Sequence, residues 1–340
     1  MPFTPIQTFA GGLLLHLSTS SLLSDTGRVF GISGIFNGAL FESHERWQWA
    51  VLGGLVSGPL VGHTLGLNPL FPGDALTSLA SIGLVRLAAA GVLVGIGSRL
   101  GSGCTSGHML CGLSRLSPRS FVATGVFFTT AVITANMTDT DSLPPTPTSI
   151  LEIPSIQIVA RLFAIVGIAA IAYRSLRSYL ISRPSASGLL KMTPYYLAAL
   201  TFSLGLSLSG MTDPIKVTGF LRFLHPRHFD PSLAMVVLGG VLPNAIHYRM
   251  ITRNRATQRT GFSWEKWRVP TRRDIDRSLV SGAGIFGVGW GLAGICPGPA
   301  LVNLGAAFVE RDMAVLMNVM AFTCAMMAGM YTADGYLMAR

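Results

Sequence analysis

The chain has 340 residues, 50% of them hydrophobic and only 12% charged, with a mean hydropathy of +0.53. A soluble domain carries about twice that charged fraction, so the bilayer is the predicted solvent, and apolar runs close to 20 residues long agree with it. The formal charge of +10 does not point to nucleic acid, because the basic residues sit in loops between apolar runs, where the positive-inside rule places them.

Nine membrane-crossing candidates follow in chain order: 6–24, 47–66, 79–100, 118–137, 155–174, 193–210, 230–249, 278–295 and 312–334. No basic stretch precedes the first, so no cleavable signal peptide is read. Between them lie four shorter apolar pieces, 28–41, 105–116, 214–225 and 297–309. Each is too short to cross roughly 30 Å of hydrocarbon as a helix. Irregular backbone at that depth is tolerated only inside protein or beside a cavity, so these pieces predict re-entrant half-helices. The predicted fold is all-α integral membrane, one domain over 1–340, with about nine transmembrane helices and four half-helices.

The loops set the orientation. Loop 67–78 has no Lys or Arg, and neither has loop 138–154, which carries Asp139, Asp141, Pro144, Pro145 and Pro147. Loop 174–192 has four (Arg174, Arg177, Arg183, Lys191), and loop 249–277 has nine, including Arg253, Arg255, Arg259, Lys266, Arg272 and Arg273. With nine spans the basic segments share one side, predicted to be cytoplasmic, with the N-terminus outside and the C-terminus inside a plasma membrane. Lys216, Arg222 and Arg227 fall on the opposite side as a partial exception.

The same topology predicts an inverted repeat. Shifting the sequence by 192 places Gly95 on Gly287, Gly97 on Gly289, Leu100 on Leu292 and Cys104 on Cys296. Val51-Leu52-Gly53-Gly54 likewise matches Val237-Leu238-Gly239-Gly240, and Ser33-Gly34 matches Ser209-Gly210 as the opening of a half-helix. Repeat 1 is then 6–137 and repeat 2 is 193–334, in opposite orientations, with 155–174 as the connector that inverts the second.

The chemistry concentrates at the two glycine-rich breaks. Cys104 and Cys296 each precede a half-helix, with Thr105 or Ser106 as cap of the first and Pro297 at the first position of the second. A helix N-terminus favours anions, and a thiol is a soft donor, so the pair suits a small anion with a polarizable atom. Cys111 lies on the same helical face as Cys104, about 10 Å further on, as a second thiol or as packing; Cys324 reads as packing. Two readings also stand for Lys216, which attracts the anion or pairs with Asp213, and for His108, which bonds substrate or packs. The four cysteines imply no disulfide framework, and no Cys/His spacing suggests a metal site. No cofactor motif and no Ser/His/Asp arrangement is present.

Gly101-Ser102-Gly103-Cys104-Thr105-Ser106-Gly107-His108, Cys111-Gly112-Leu113-Ser114-Arg115-Leu116-Ser117-Pro118-Arg119-Ser120, Gly210-Met211-Thr212-Asp213-Pro214-Ile215-Lys216-Val217 and Gly294-Ile295-Cys296-Pro297-Gly298-Pro299-Ala300 together resemble the YeeE/YedE sulfur-transport family. The resemblance implies an integral membrane protein that moves sulfur compounds, thiosulfate foremost, with Cys104 and Cys296 touching them on a narrow central path. Thiosulfate-importing members carry a further cysteine just after a Gly-Arg-Phe near the first half-helix. Here that stretch is Gly27-Arg28-Val29-Phe30-Gly31-Ile32-Ser33-Gly34, and no cysteine precedes Cys104, which leaves the substrate within the class open. The expected translocation residues are Gly103, Cys104, Thr105, Gly107, His108, Cys111, Lys216, Cys296, Pro297 and Gly298. The expected function is a non-enzymatic transporter for thiosulfate or a related small sulfur anion, with a soluble sulfur-handling protein as a possible cytoplasmic partner. The alternatives are a membrane sulfurtransferase or thiol oxidoreductase and an aquaporin-like channel for a small neutral solute.

Overall fold

The computed structural model describes residues 3–71, 75–138, 153–183, 185, 187–225, 228–253 and 260–338. Asp139, Asp141, Pro144, Pro145, Pro147, Arg227, Arg255 and Arg259 lie outside the described residues. The regular elements are helices: α1 (Pro5–Thr26), α2 (Ile32–Phe41), α3 (Arg46–Thr64), α4 (Ala75–Ser81), α5 (Leu84–Leu100), α6 (Ser106–Gly112, a π-helical turn) and α7 (Pro118–Met137). After α8 (Ile156–Ile181) come α9 (Thr193–Ser209), α10 (Pro214–Leu221), α11 (Pro231–Thr252), α12 (Arg277–Ala293), α13 (Pro297–Glu310) and α14 (Met313–Met338).

A long helix stands at each of the nine predicted ranges. Among the described residues five are long and apolar enough to cross a bilayer: α7, α8, α11, α12 taken through its break into α13, and α14. The bent pair α4–α5, turning by 105°, makes a sixth if it is one span. α1 carries too many polar groups to join them, among them Gln7, Thr8, His16, Ser18 and Asp25, yet its long face is buried against α8, α9 and α11. Protein rather than lipid surrounds those side chains, so they need not be apolar. The predicted half-helix 105–116 is shorter than expected. It ends at Gly112, and Leu116 is held at φ 54° in the turn that follows.

Glycine and proline place the ends. Pro5 and Pro194 sit at the first positions of α1 and α9, and Gly27 and Gly210 stop those helices at φ 69° and 73°. This corrects the Ser33-Gly34 match: Ser33 lies at the start of α2 but Ser209 ends α9, and Gly210 shares its place past a helix end with Gly27. α12 stops at Gly294 with φ 68°, and the residue 192 positions earlier, Ser102, has φ 57° just past α5.

The contacts of the two halves recur with their partners exchanged. α5 packs on α12 and α14, while α12 packs on α5 and α7; α1 packs on α9 and α11, while α9 packs on α1 and α3. A methyl group on Gly95 would land on the Met326 carbonyl of α14, and one on Gly287 would land on the Phe127 carbonyl of α7. Where α5 and α12 cross, Arg86 Nε donates to the Leu292 carbonyl (2.7 Å) and Ser278 Oγ to the Leu100 carbonyl (3.0 Å). Both donor and acceptor are again offset by 192, and start meets end, so the two helices run antiparallel.

α8 stands apart. Only 11% of its apolar window is buried, and its contacts are with α1 and α9. On the basic face, the segment 260–276 crosses helix ends as a strap: Gly261 and Phe262 donate to the Ser24 and Asp25 carbonyls, Arg268 N to Gly27, and Arg119 Nη1 to the Asp274 carbonyl.

Candidate functional site

The site is the meeting of four helix beginnings. After α5 the chain turns at Ser102, with Gly103 N bonded to the Ser98 carbonyl (2.9 Å). Cys104 follows and Thr105 re-enters a helix, so the Cys104 carbonyl accepts His108 N–H (2.9 Å). After α12 the left-handed Gly294 turns the chain the same way, Cys296 caps α13 in extended conformation, and Pro297 takes the first helical position as predicted. Glycine is required at 294 by its φ and by space: a side chain would strike Pro214 at the start of α10. A side chain at Gly298 would strike Ile32 at the start of α2.

Here the two thiols are linked through neighbouring hydroxyls. Cys104 Sγ lies 3.3 Å from Ser106 Oγ, which also accepts the Ile32 N–H (3.1 Å). Cys296 Sγ lies 3.2 Å from Thr105 Oγ1. Consecutive residues of one half-helix thus face both sulfurs, while Ser106 ties in the start of α2. Cys104 and Cys296 are 1% and 5% exposed, so neither meets bulk water.

The predicted residues divide into two groups. Cys104, Thr105, Gly107, Cys296, Pro297 and Gly298 stand at the meeting; Gly107 faces Gly31, whose Cα would lie 3.8 Å from a methyl group added at Gly107. His108 turns away. Its Nε2 bonds the Gly101 carbonyl (3.0 Å) and its Nδ1 the Ser120 hydroxyl (3.1 Å), and Gly103 is small because the His108 ring lies over it. Lys216 lies elsewhere. Its Nζ donates to Thr4 Oγ1 (2.8 Å), Asp230 Oδ2 (3.0 Å) and Ser232 Oγ (3.2 Å). The paired carboxylate is Asp230; Asp213 instead caps α10 by accepting from the Ile215 and Lys216 N–H groups.

Two voids flank the meeting. A cavity of about 290 Å³ reaches Thr105, Ser106 and Cys296 and is otherwise walled by groups such as Met109, Phe202 and Trp290. A void of about 20 Å³, on the order of one water, lies toward the basic face, lined by Thr19, Phe30, Cys111, Arg115, Asn244 and His247. Phe30 and Phe202 stack between the two voids, with centroids 4.4 Å apart and planes 4° from parallel. Cys111 Sγ faces the Phe30 carbonyl at 3.8 Å. The sequence reading singled out neither phenylalanine for a role. Phe30 stands in the Gly27–Gly34 stretch, but Phe202 lies in an apolar helix with no motif around it.

Residues 190–337 match a family described as being of unknown function, DUF6691. A protein of Xylella fastidiosa (strain Temecula1) named "Probable transporter" is 39% identical over 145 residues, 43% of this chain and 89% of that protein. A second "Probable transporter" of the same strain is 42% identical over 125 residues, 37% of this chain and 88% of its own length. Strain 9a5c has a counterpart at 39% identity over 145 residues, covering 43% of this chain and 90% of the relative.

Proposed function

We propose, from the premise that the chain belongs to the family of the Xylella fastidiosa probable transporters, that this multi-pass membrane protein carries thiosulfate or a related small sulfur-containing anion past Cys104 and Cys296. The observation that carries this reading is the thiol pair itself. Two cysteines from matched breaks are held beside the adjacent hydroxyls of Ser106 and Thr105 in a buried place where four half-helices begin. The first N–H groups of a helix have no intrahelical partner and carry its positive end. They suit an anion that has lost its water. Each thiol offers a weak S–H donor and a polarizable sulfur, so the solute moves by transient contacts, with no covalent step.

The third thiol supports the same substrate class. Cys111 lies against Phe30, within the stretch where the thiosulfate importers that this sequence resembles carry their early cysteine. A thiol therefore returns to that neighbourhood from α6. A sulfurtransferase would need a thiol that a soluble partner can reach, and the three thiols here are at most 8% exposed.

The exchanged contacts and the offset of 192 support reading 6–137 and 193–334 as inverted repeats. The basic face, which carries the strap 260–276, is then cytoplasmic. The positive charges on the opposite face fit that orientation once their partners are seen. Lys216 is neutralised by Asp230, and Arg222 is buried with its Nε on the Ala135 carbonyl.

Uptake of labelled thiosulfate into proteoliposomes tests the proposal, with wild type, Cys104→Ala and Cys296→Ala compared at equal reconstitution. Uptake by wild type and at least a tenfold loss in each variant is expected. Uptake unchanged in both variants overturns the cysteine path, and no uptake by wild type overturns the substrate.

A further inference from the structure

The two halves differ in how far the half-helix after each cysteine continues. The slot between α3 and α14 is filled by α13, fourteen residues packed on both walls, with Gly305 so close to Val56 that a methyl would land on its carbonyl. The corresponding slot between α11 and α7 receives only α6, a seven-residue turn. The length that α6 leaves unfilled is the cavity of about 290 Å³.

We infer that this cavity holds a lipid acyl chain, which enters between α7 and α11 and completes the wall that the short α6 leaves open. Among the described residues the lining includes no charged one, so a sulfur anion has no counter-charge there. Its hydroxyls are few. Those of Thr105 and Ser106 face the two sulfurs, and Thr124 adds one more from α7. A buried water needs two to four polar partners, and of these three hydroxyls only that of Thr124 has no partner of its own. Leaving the space empty forfeits the contacts of every side chain around it, whereas a hydrocarbon chain restores them.

The way in faces lipid. Val237 and Val241 line the cavity from α11, and Thr124 and Phe128 from α7. Val237 is also 46% exposed, and Leu238 and Leu242 on α11 and Phe121 on α7 are each about half exposed. The apolar surface that meets the bilayer therefore continues inward without a polar rim. The occupant ends against Thr105 and Cys296, so the chain closes the side of the thiol path to the membrane. This holds whichever solute the thiols pass.

Photo-crosslinking in proteoliposomes tests it, using a phosphatidylcholine with a diazirine near the end of one acyl chain and mass spectrometry to locate the label. The expected result is label within Ser106–Leu113 and on Met211, interior positions, in addition to the lipid-facing α8. Val237→Trp, placed at the mouth on an exposed position, is expected to lower the interior label at least fivefold while label on Ile168 and Ile171 of α8 stays unchanged. Label confined to outward-facing residues in wild type overturns the inference. Interior label that Val237→Trp leaves undiminished overturns the proposed way in. Neither result depends on thiosulfate uptake, so a failure here is separable from a failure of the transport reading.

Discussion

Lys216 uses all three of its N–H groups on Thr4, Asp230 and Ser232 at about 1% exposure, which is how a charge survives burial. Lys216→Met leaves Asp230 unpaired and is expected to cost about 3–5 kcal/mol, seen as a lower melting temperature of the detergent-solubilised protein. Lys216→Met with Asp230→Leu is expected to recover most of that loss. If the recovered double variant still takes up thiosulfate, the lysine is structural; if it is stable and silent, the lysine handles the solute. Thr105 offers a finer test. Thr105→Val keeps the side-chain shape but removes the hydroxyl beside Cys296, about 1 kcal/mol of hydrogen bonding. A severalfold fall in uptake with a melting temperature lowered by no more than about 4 °C is expected. Residue roles of this kind were only partly legible in the sequence. Cys104 and Cys296 announce themselves by glycine-rich breaks, but Lys216 and Asp230 lie fourteen positions apart with a turn between them, and nothing in their spacing separates Asp230 from the nearer Asp213.

At the scale of the element, helix packing rests on glycines where backbones touch. Gly95→Ala and Gly287→Ala are expected to destabilise by similar amounts, about 1–3 kcal/mol each, because each methyl meets a carbonyl of the next helix and backbone cannot step aside cheaply. Gly167→Ala on α8 has nothing within 4 Å and is expected to be neutral or stabilising by up to ~1 kcal/mol. Paired thermal melts of the three variants check this. The positions of the long helices were legible because apolar runs bounded by Gly and Pro are local signals. The 105° bend between α4 and α5 was not, since α4 is seven residues held by α10, α13 and α14, contacts remote in sequence. The π-helical winding of α6 escaped for a similar reason: Gly112 lies against Ser120 of α7, and the sequence around it reads as an ordinary apolar half-helix. The stack of Phe30 on Phe202 joins the turn before α2 to α9, which no local pattern relates.

For the whole molecule, orientation is the testable quantity. A single cysteine placed at Ser155, exposed before α8, is expected to react in intact cells with a membrane-impermeant maleimide, and one placed at Arg273 in the strap is expected to react only after lysis. The reverse pattern would invert the assignment of the basic face. The antiparallel crossing of α5 and α12 was foreshadowed by the offset of 192, because both helices meet the same demand for glycine at the same depth. The unequal filling of the two slots was not, since α6 and α13 differ in how far a half-helix continues after nearly the same opening. That inequality has a consequence for how such a protein can change. Two identical half-chains around a twofold axis are bound to be equal, so a substitution in one is a substitution in both. Read as inverted repeats joined through α8, the halves are free of that bond: one half-helix is short and leaves a niche while its counterpart keeps its full length as a plug.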